Sequence, residues 1–323
     1  MEPALSKVEI VTLDSFTPNT RKGLEGLFKL HSGGHGEPVP AAVAANTRGV
    51  ARGGHTPVNR AFMESLPKLE IVGNFGVGYD GIDLKYAAER GIVVTNTPEV
   101  LTEEVADTAL GLLLMTVREL SAAERHLRAG KWATEGPWRL SPSLRGRTVG
   151  IFGLGRIGKA IARRLDAMKI PVVYYGRHEQ KDVPYRYYAD LRTMAEAVDV
   201  LLVVIPGNAS TANLIDATVL KALGPNGILI NIGRGIVVDE AALAEALKNG
   251  TILSAGLDVF AREPHVPQAL IDLPNTVLLP HVGSASLHTR DAMGQLMVDN
   301  LRSWFETGKP ITPVPETPVP SRK

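Results

Sequence analysis

Three residues able to move or bind charge sit in short polar segments, each at the end of an apolar run. They are Arg234 in Asn231-Ile-Gly-Arg-Gly235, Glu263 in Asp258-Val-Phe-Ala-Arg-Glu-Pro264, and His281 in Leu279-Pro-His-Val-Gly-Ser-Ala-Ser286. Together they provide for the reduction of a 2-keto acid, which needs a cation for the carboxylate, a proton donor for the carbonyl oxygen and a hydride source. Arg234 suits the carboxylate through two parallel hydrogen bonds and can polarise the carbonyl. His281 suits proton donation because imidazole titrates near neutral pH, and Glu263 could hold its other nitrogen and favour the protonated form. Each alone has an ordinary alternative: a structural histidine after Pro280, a solvated or turn-capping glutamate, an arginine paired elsewhere. Their joint appearance downstream of a nucleotide-binding pattern favours the chemical reading.

That pattern supplies the hydride. In Thr148-Val-Gly-Ile-Phe-Gly153-Leu-Gly155-Arg-Ile-Gly158 an apolar strand meets Gly-x-Gly-x-x-Gly and passes into an amphipathic helix. Gly153 serves the tight turn, Gly155 close approach to a pyrophosphate, and Gly158 packing of helix on sheet. Leu154, Arg156 and Ile157 complete the turn, whose helix N-terminus offers N–H groups to phosphate. About 20 residues beyond such a turn, NAD sites carry an acid for the ribose 2′-hydroxyl. Here the next apolar run, 172–175, ends in Gly176-Arg177-His178. A guanidinium grips a phosphate where a carboxylate would repel it, so NADPH is the expected cofactor, with NADH still able to serve.

The elements that must position these residues are legible as rhythm. At 323 residues the chain exceeds what one core usually supports, so two domains are expected. Short apolar runs at 8–13, 41–45, 71–74 and 93–95 read as a small α/β domain. A second series at 148–152, 172–175, 200–205, 228–231, 255–258 and 277–279 lacks alternation, as buried parallel strands do. Between them, 102–115 reads as a long apolar helix with Thr102 as N-cap. Near the end, 287–305 places Met293, Leu296, Met297, Leu301 and Trp304 at helical spacing, consistent with a return to the first domain. The fold class is therefore α/β, with two Rossmann- or flavodoxin-like domains whose parallel sheets flank a cleft. The expected domains are 1–98 with 288–323 for substrate and 99–287 for dinucleotide. Hinges are expected near 97–101 and 283–287, and a proline-rich extended or disordered tail from 310.

Composition narrows the class. A content of 44% hydrophobic and 21% charged residues with a formal charge of +1 describes an ordinary globular protein, with no bias toward nucleic acid or membrane. The pair Arg163-Arg164 reads as a solvated helix face. Absent cysteine excludes disulfides and thiolate catalysis. The first residues lack an export-signal pattern, so a cytoplasmic location is expected, and the histidines show no ligand spacing for a metal.

On these motifs the chain resembles the D-isomer-specific 2-hydroxyacid dehydrogenases, nearest their glyoxylate/hydroxypyruvate reductase branch. Asn74-Phe-Gly-Val-Gly-Tyr-Asp-Gly-Ile-Asp83 is similar to the family's substrate loop, and Asn96-Thr-Pro-Glu-Val-Leu-Thr-Glu-Glu-Val-Ala-Asp107 to its domain-crossing segment. The resemblance implies a homodimer joined through an arm at about 102–147. It implies that the amides of Val77 and Gly78 bind the substrate carboxylate with Arg234, and that Asp258 lies by the nicotinamide carboxamide. Ile205, Pro206, Ile232, Gly233 and Gly283 would line the cofactor, with Thr211 at its phosphate or ribose. Arg52, Ser284 and Ser286 would serve the substrate pocket, and Trp138 would enter the partner subunit's active site unless it packs locally. The implied activity is reduction of glyoxylate or hydroxypyruvate to the D-hydroxy acid. The alternatives are the same chemistry on bulkier phenylpyruvate or 4-hydroxyphenylpyruvate, and an inactive nucleotide-sensing protein. Many relatives carry an acid where Arg177 stands, and the phosphoglycerate dehydrogenases often add a C-terminal domain that has no counterpart here.

Overall fold

The computed structural model describes residues 4–33, 38–54 and 56–317. The chain forms two compact units, Met1–Leu101 with Ser286–Lys323, and Thr102–Ala285. The crossings thus fall at 101/102 and 285/286, against 98/99 and 287/288 expected from the sequence.

The first unit holds a parallel sheet of β1 (Glu9–Leu13), β2 (Lys29–Gly33), β3 (Thr47–Arg52), β4 (Ile71–Asn74) and β5 (Val93–Thr95), ordered β2-β1-β3-β4-β5. Successive side chains leave a strand on opposite faces, and here both faces are covered. Val11, Val50, Val72 and Val94 enter one apolar cluster, while Ile10, Ala51, Ile71 and Val93 enter the other. The helix Leu287–Thr307 closes the second cluster with Met297, Val298, Leu301 and Trp304. It packs tightly because β4 carries Gly73, whose missing Cβ would lie 3.1 Å from Met297.

Three expectations are corrected in this unit. Residues 41–45 form not a strand but the short helix Ala41–Ala44 after Pro40, as alanine's helix preference dictates once β1 and β3 fill the sheet. Strands β2 and β3 escaped notice, the one a polar edge, the other interrupted by Gly49 and flanked by arginines. The proline-rich end is packed as far as Thr317, with the last six residues outside the described ones. Val314 donates to the Val94 carbonyl and is 2% exposed, and Thr317 Oγ1 accepts from Val94 N. Proline is tolerated there because β5 is an edge strand, where its missing N–H interrupts no inner ladder.

The second unit holds β6 (Val149–Phe152), β7 (Val172–Tyr175), β8 (Arg186–Tyr188), β9 (Val200–Val203), β10 (Ile228–Asn231), β11 (Ser254–Leu257) and β12 (Thr276–Leu278). All pair in parallel, in the order β12-β11-β10-β9-β6-β7-β8. Strand order reverses between β6 and β9, so a crevice opens beyond their carboxyl ends, where ligands bind in such sheets. Arg163 and Arg164 are not simply solvated, because they pair with Glu103, and Arg164 also with Asp107, tying the helix Arg156–Ala167 to the helix Thr102–Val117. Among the described residues, no helix is long and apolar enough to cross a membrane, and no cluster of acids and histidines could hold a metal ion.

Candidate active site

At the end of β6 the chain turns at Gly153 with φ +108°, a region that L side chains avoid. A Cβ there would lie 2.5 Å from Ile205 Cγ2, and one on Gly158 would lie 2.1 Å from the Gly153 carbonyl oxygen. Gly155 differs from both, because nothing lies within 4 Å of its missing Cβ. It precedes Arg156–Ala167, and no side chain caps that helix end. Open space over the first-turn amides is what a dinucleotide pyrophosphate requires, so these residues fit the cofactor. Leu154 is anchored from behind by Gln180, whose Nε2 donates to the Leu154 carbonyl at 2.8 Å. That bond also fixes the loop bearing Arg177 and His178. Both residues are exposed beyond β7, and Arg177 makes no hydrogen bond or ion pair among the described residues. Ile205 and Pro206 follow β9. The Thr211 hydroxyl closes their loop, accepting from Asn208 N at 2.8 Å and donating to the Pro206 carbonyl at 3.1 Å. Ile232 is buried, and Gly233 N donates to Asn231 Oδ1 at 3.0 Å.

The three chemical residues belong to loops after β10, β11 and β12. Arg234 is half-buried, its Nη1 donating to the Gly233 carbonyl, and Asn231 Nδ2 donates to the Arg234 carbonyl at 3.0 Å. Gly207 makes room for its stem, since a Cβ there would lie 2.9 Å from Arg234 Cβ. Gly235 lets this loop reach the next: its missing Cβ would sit 1.8 Å from the Phe260 carbonyl carbon. His281 Nδ1 lies 2.7 Å from Glu263 Oε2, while Glu263 Oε1 accepts Phe260 N at 3.0 Å. Both carboxylate oxygens are thus fixed, and one of them fixes the imidazole.

Asp258 holds the same loop from below. It is 1% exposed and its two oxygens accept the amides of Val282 at 2.7 Å and Gly283 at 2.8 Å, while its carbonyl accepts His281 N. The grip holds His281 at φ +53°, costly for a non-glycine residue. Burial raises the Asp258 carboxyl above the usual range, against the lowering pull of the two amides and of His281. Glu240, which the sequence did not single out, accepts Ala261 N at 2.8 Å, and burial raises its carboxyl as well. Ser284 is half-buried in this segment, whereas the Ser286 hydroxyl caps the helix Leu287–Thr307 by accepting Thr289 N.

In the first unit, the Gly76–Gly78 turn follows β4. Gly76 donates to Thr97 Oγ1 at 2.9 Å, and its carbonyl accepts Thr97 N and Asn74 Nδ2. The carbonyls of Val77 and Gly78 accept Asn96 Nδ2 and Asn74 Nδ2, each at 3.0 Å. Across a trans peptide C=O and N–H are opposed, so carbonyls held by the protein turn the following N–H groups the other way. The N–H groups of Val77 and Gly78 donate to nothing among the described residues. Such a pair of amides suits a carboxylate. Arg52 is 5% exposed, its Nε donating to the Thr56 carbonyl and its Nη1 to Asn74 Oδ1. Trp138, half-buried, packs edge-on against His126 with ring centres 5.3 Å apart. Asn74, Gln180 and Asn208 had no role assigned from sequence; the signal available was an amide residue within or beside a glycine-rich turn.

The chain belongs to the D-isomer-specific 2-hydroxyacid dehydrogenase family, whose NAD-binding-domain model matches residues 110–283, and it is an NAD(P)-dependent oxidoreductase. It is similar to the NADPH-dependent glyoxylate/hydroxypyruvate reductase of Sinorhizobium meliloti, solved with NADP and malonate: 54% identity, TM-score 0.95, covering 98% of this chain and 100% of that one. Glyoxylate/hydroxypyruvate reductase A of Arabidopsis thaliana is 49% identical over 78% of this chain and 80% of its own length. Hydroxyphenylpyruvate reductase of Plectranthus scutellarioides is 45% identical over 85% of this chain and 87% of its own.

Proposed function

We propose that this protein is an NADPH-preferring reductase of small 2-keto acids, glyoxylate and hydroxypyruvate foremost, producing the D-2-hydroxy acid. The observation that carries the reading is the His281–Glu263 contact of 2.7 Å at the strand ends of a nucleotide-binding sheet. Bound reduced cofactor supplies a hydride to the substrate's C2. Arg234 holds the carboxylate and polarises the carbonyl, and His281 delivers the proton that turns the nascent alkoxide into a hydroxyl. Glu263 takes Nδ1, which leaves proton delivery to Nε2 and compensates the imidazolium's charge. The amides of Val77 and Gly78 are assigned to the substrate carboxylate, supported by their lack of an acceptor among the described residues. Arg177 reads the 2′-phosphate, supported by its exposure beyond β7 and its lack of a protein partner among the described residues.

A cytoplasmic homodimer is part of the same reading. Leu127, Trp132 and Leu140 leave 54%, 62% and 99% of their surface uncovered on the arm, which suits burial against a second copy. Reduction of 4-hydroxyphenylpyruvate is the second reading, favoured by the 45% identity to a hydroxyphenylpyruvate reductase.

Initial rates with NADPH and NADH on glyoxylate, hydroxypyruvate and 4-hydroxyphenylpyruvate test both. The expected optimum is a small acid with NADPH, and Arg177→Asp should weaken NADPH binding about 10- to 100-fold, the range of a lost charged hydrogen bond. An aryl optimum would transfer the assignment to the second reading. An unaltered cofactor preference in the variant would remove Arg177 from the 2′-phosphate site.

A further inference from the structure

Arg52 is an arginine almost wholly inside the first unit, with its donors turned to the protein. It stands on β3 directly opposite Asn74 on β4. Its Nη1 donates to Asn74 Oδ1 at 2.5 Å and its Nε to the Thr56 carbonyl at 2.7 Å. Asn74 is 1% exposed. A guanidinium can only donate, so it decides which end of the amide faces it. The oxygen of Asn74 must meet Arg52, and its NH2 must meet the turn. Both of those hydrogens are used, on the carbonyls of Gly76 at 3.2 Å and Gly78 at 3.0 Å. Holding the Gly76 carbonyl inward sends the Val77 N–H outward, and holding the Gly78 carbonyl does the same for Tyr79.

We propose that Arg52 is a positioning residue for the substrate loop: through Asn74 it fixes the Gly76–Val77 and Gly78–Tyr79 peptide planes and so aims the Val77 amide, one of the two that receive the substrate carboxylate, while Asn96 sets the other. The inference rests on the assignment of that carboxylate to Val77 and Gly78. It replaces direct substrate contact as the role of Arg52. Gly81 adds independent support, since a Cβ on it would lie 2.5 Å from Arg52 Nη2. The chain keeps a side chain out of the space that the guanidinium fills.

The test is steady-state kinetics on hydroxypyruvate with saturating NADPH for Arg52→Met, Asn74→Ala, their double variant, Gly81→Ala and Val77→Pro. Arg52→Met and Asn74→Ala should each raise KM about tenfold, with kcat within about threefold and the NADPH dissociation constant unchanged. Because the two residues act in series, the double variant should be no worse than the worse single one. Gly81→Ala, which displaces the guanidinium without removing it, should raise KM severalfold, and it decides the matter if Arg52→Met fails to fold. Wild-type KM in Gly81→Ala and in whichever of Arg52→Met and Asn74→Ala folds overturns the proposal, as does a fall in kcat at constant KM. Val77→Pro deletes an aimed N–H. If it raises KM while the other variants do not, the carboxylate assignment stands and only the relay falls. If it too leaves KM unchanged, both fall.

Discussion

The two units handle polar groups in opposite ways. In the first, side chains aim backbone: Asn74, Asn96 and Thr97 take the carbonyls and one amide of the Gly76–Gly78 turn, and the N–H groups of Val77 and Gly78 donate to nothing among the described residues. In the second, backbone aims side chains: Phe260 N fixes Glu263, and Val282 N and Gly283 N fix Asp258 beneath His281. The difference suits the proposed tasks. Recognition of a carboxylate can use preorganised dipoles, whose charge never changes during the reaction. Proton transfer needs a group that changes charge, and such a group must be a titratable side chain held at a set angle.

If that contrast is right, the second unit is where single substitutions stop the chemistry. His281→Ala should lower kcat by about a thousandfold while NADPH binding, followed by its fluorescence, is retained. Turnover near the wild-type rate would break the comparison outright, because proton delivery would then come from elsewhere.

A smaller effect is expected from Glu263→Gln. The glutamine can still accept Phe260 N, so geometry is largely kept while the charge beside Nδ1 is lost. Turnover should fall about tenfold, with NADPH binding retained. Turnover at the wild-type rate would make Glu263 a geometric support only, and so sharpen the role of Phe260.

Asp258→Asn should have the smallest effect on rate, about tenfold or less, and a diagnostic one on stability. Burial raises the Asp258 carboxyl, so the folded chain holds that proton to higher pH than the unfolded chain does. The sign is then fixed: its contribution is fully present below the unfolded value near pH 4 and is lost as pH rises through the folded value. Urea titrations across this window should show wild-type stability falling with pH relative to the variant. Parallel curves would mean that the buried carboxylate is already compensated by its two amides.

Much of this was legible beforehand, for identifiable reasons. Unbroken apolar runs such as 200–203 and 228–230 announced inner strands because both sheet faces are covered. Edge strands Lys29–Gly33 and Arg186–Tyr188 carried no such signal, having one side free and polar residues to match. The run at 41–45 misled because apolarity alone does not separate a short strand from a short alanine helix. Arg234, Glu263 and His281 stood out because charged residues at the ends of apolar runs have few structural reasons to be there, and the structure brings His281 and Glu263 within 2.7 Å.

The sequence by itself determined the class of the protein: a Gly153–Gly158 turn between strand and helix, an arginine where an acid is usual, and three charged or titratable residues at strand ends. Each of those is a local property, written within a few neighbouring residues. Only the tertiary structure decided which partners hold them. That Asp258 reaches across to Val282 and Gly283, and that Arg52 orients Asn74, depends on strands adjacent in the sheet but distant in sequence. Such pairings are set by strand order and register, which no local pattern encodes.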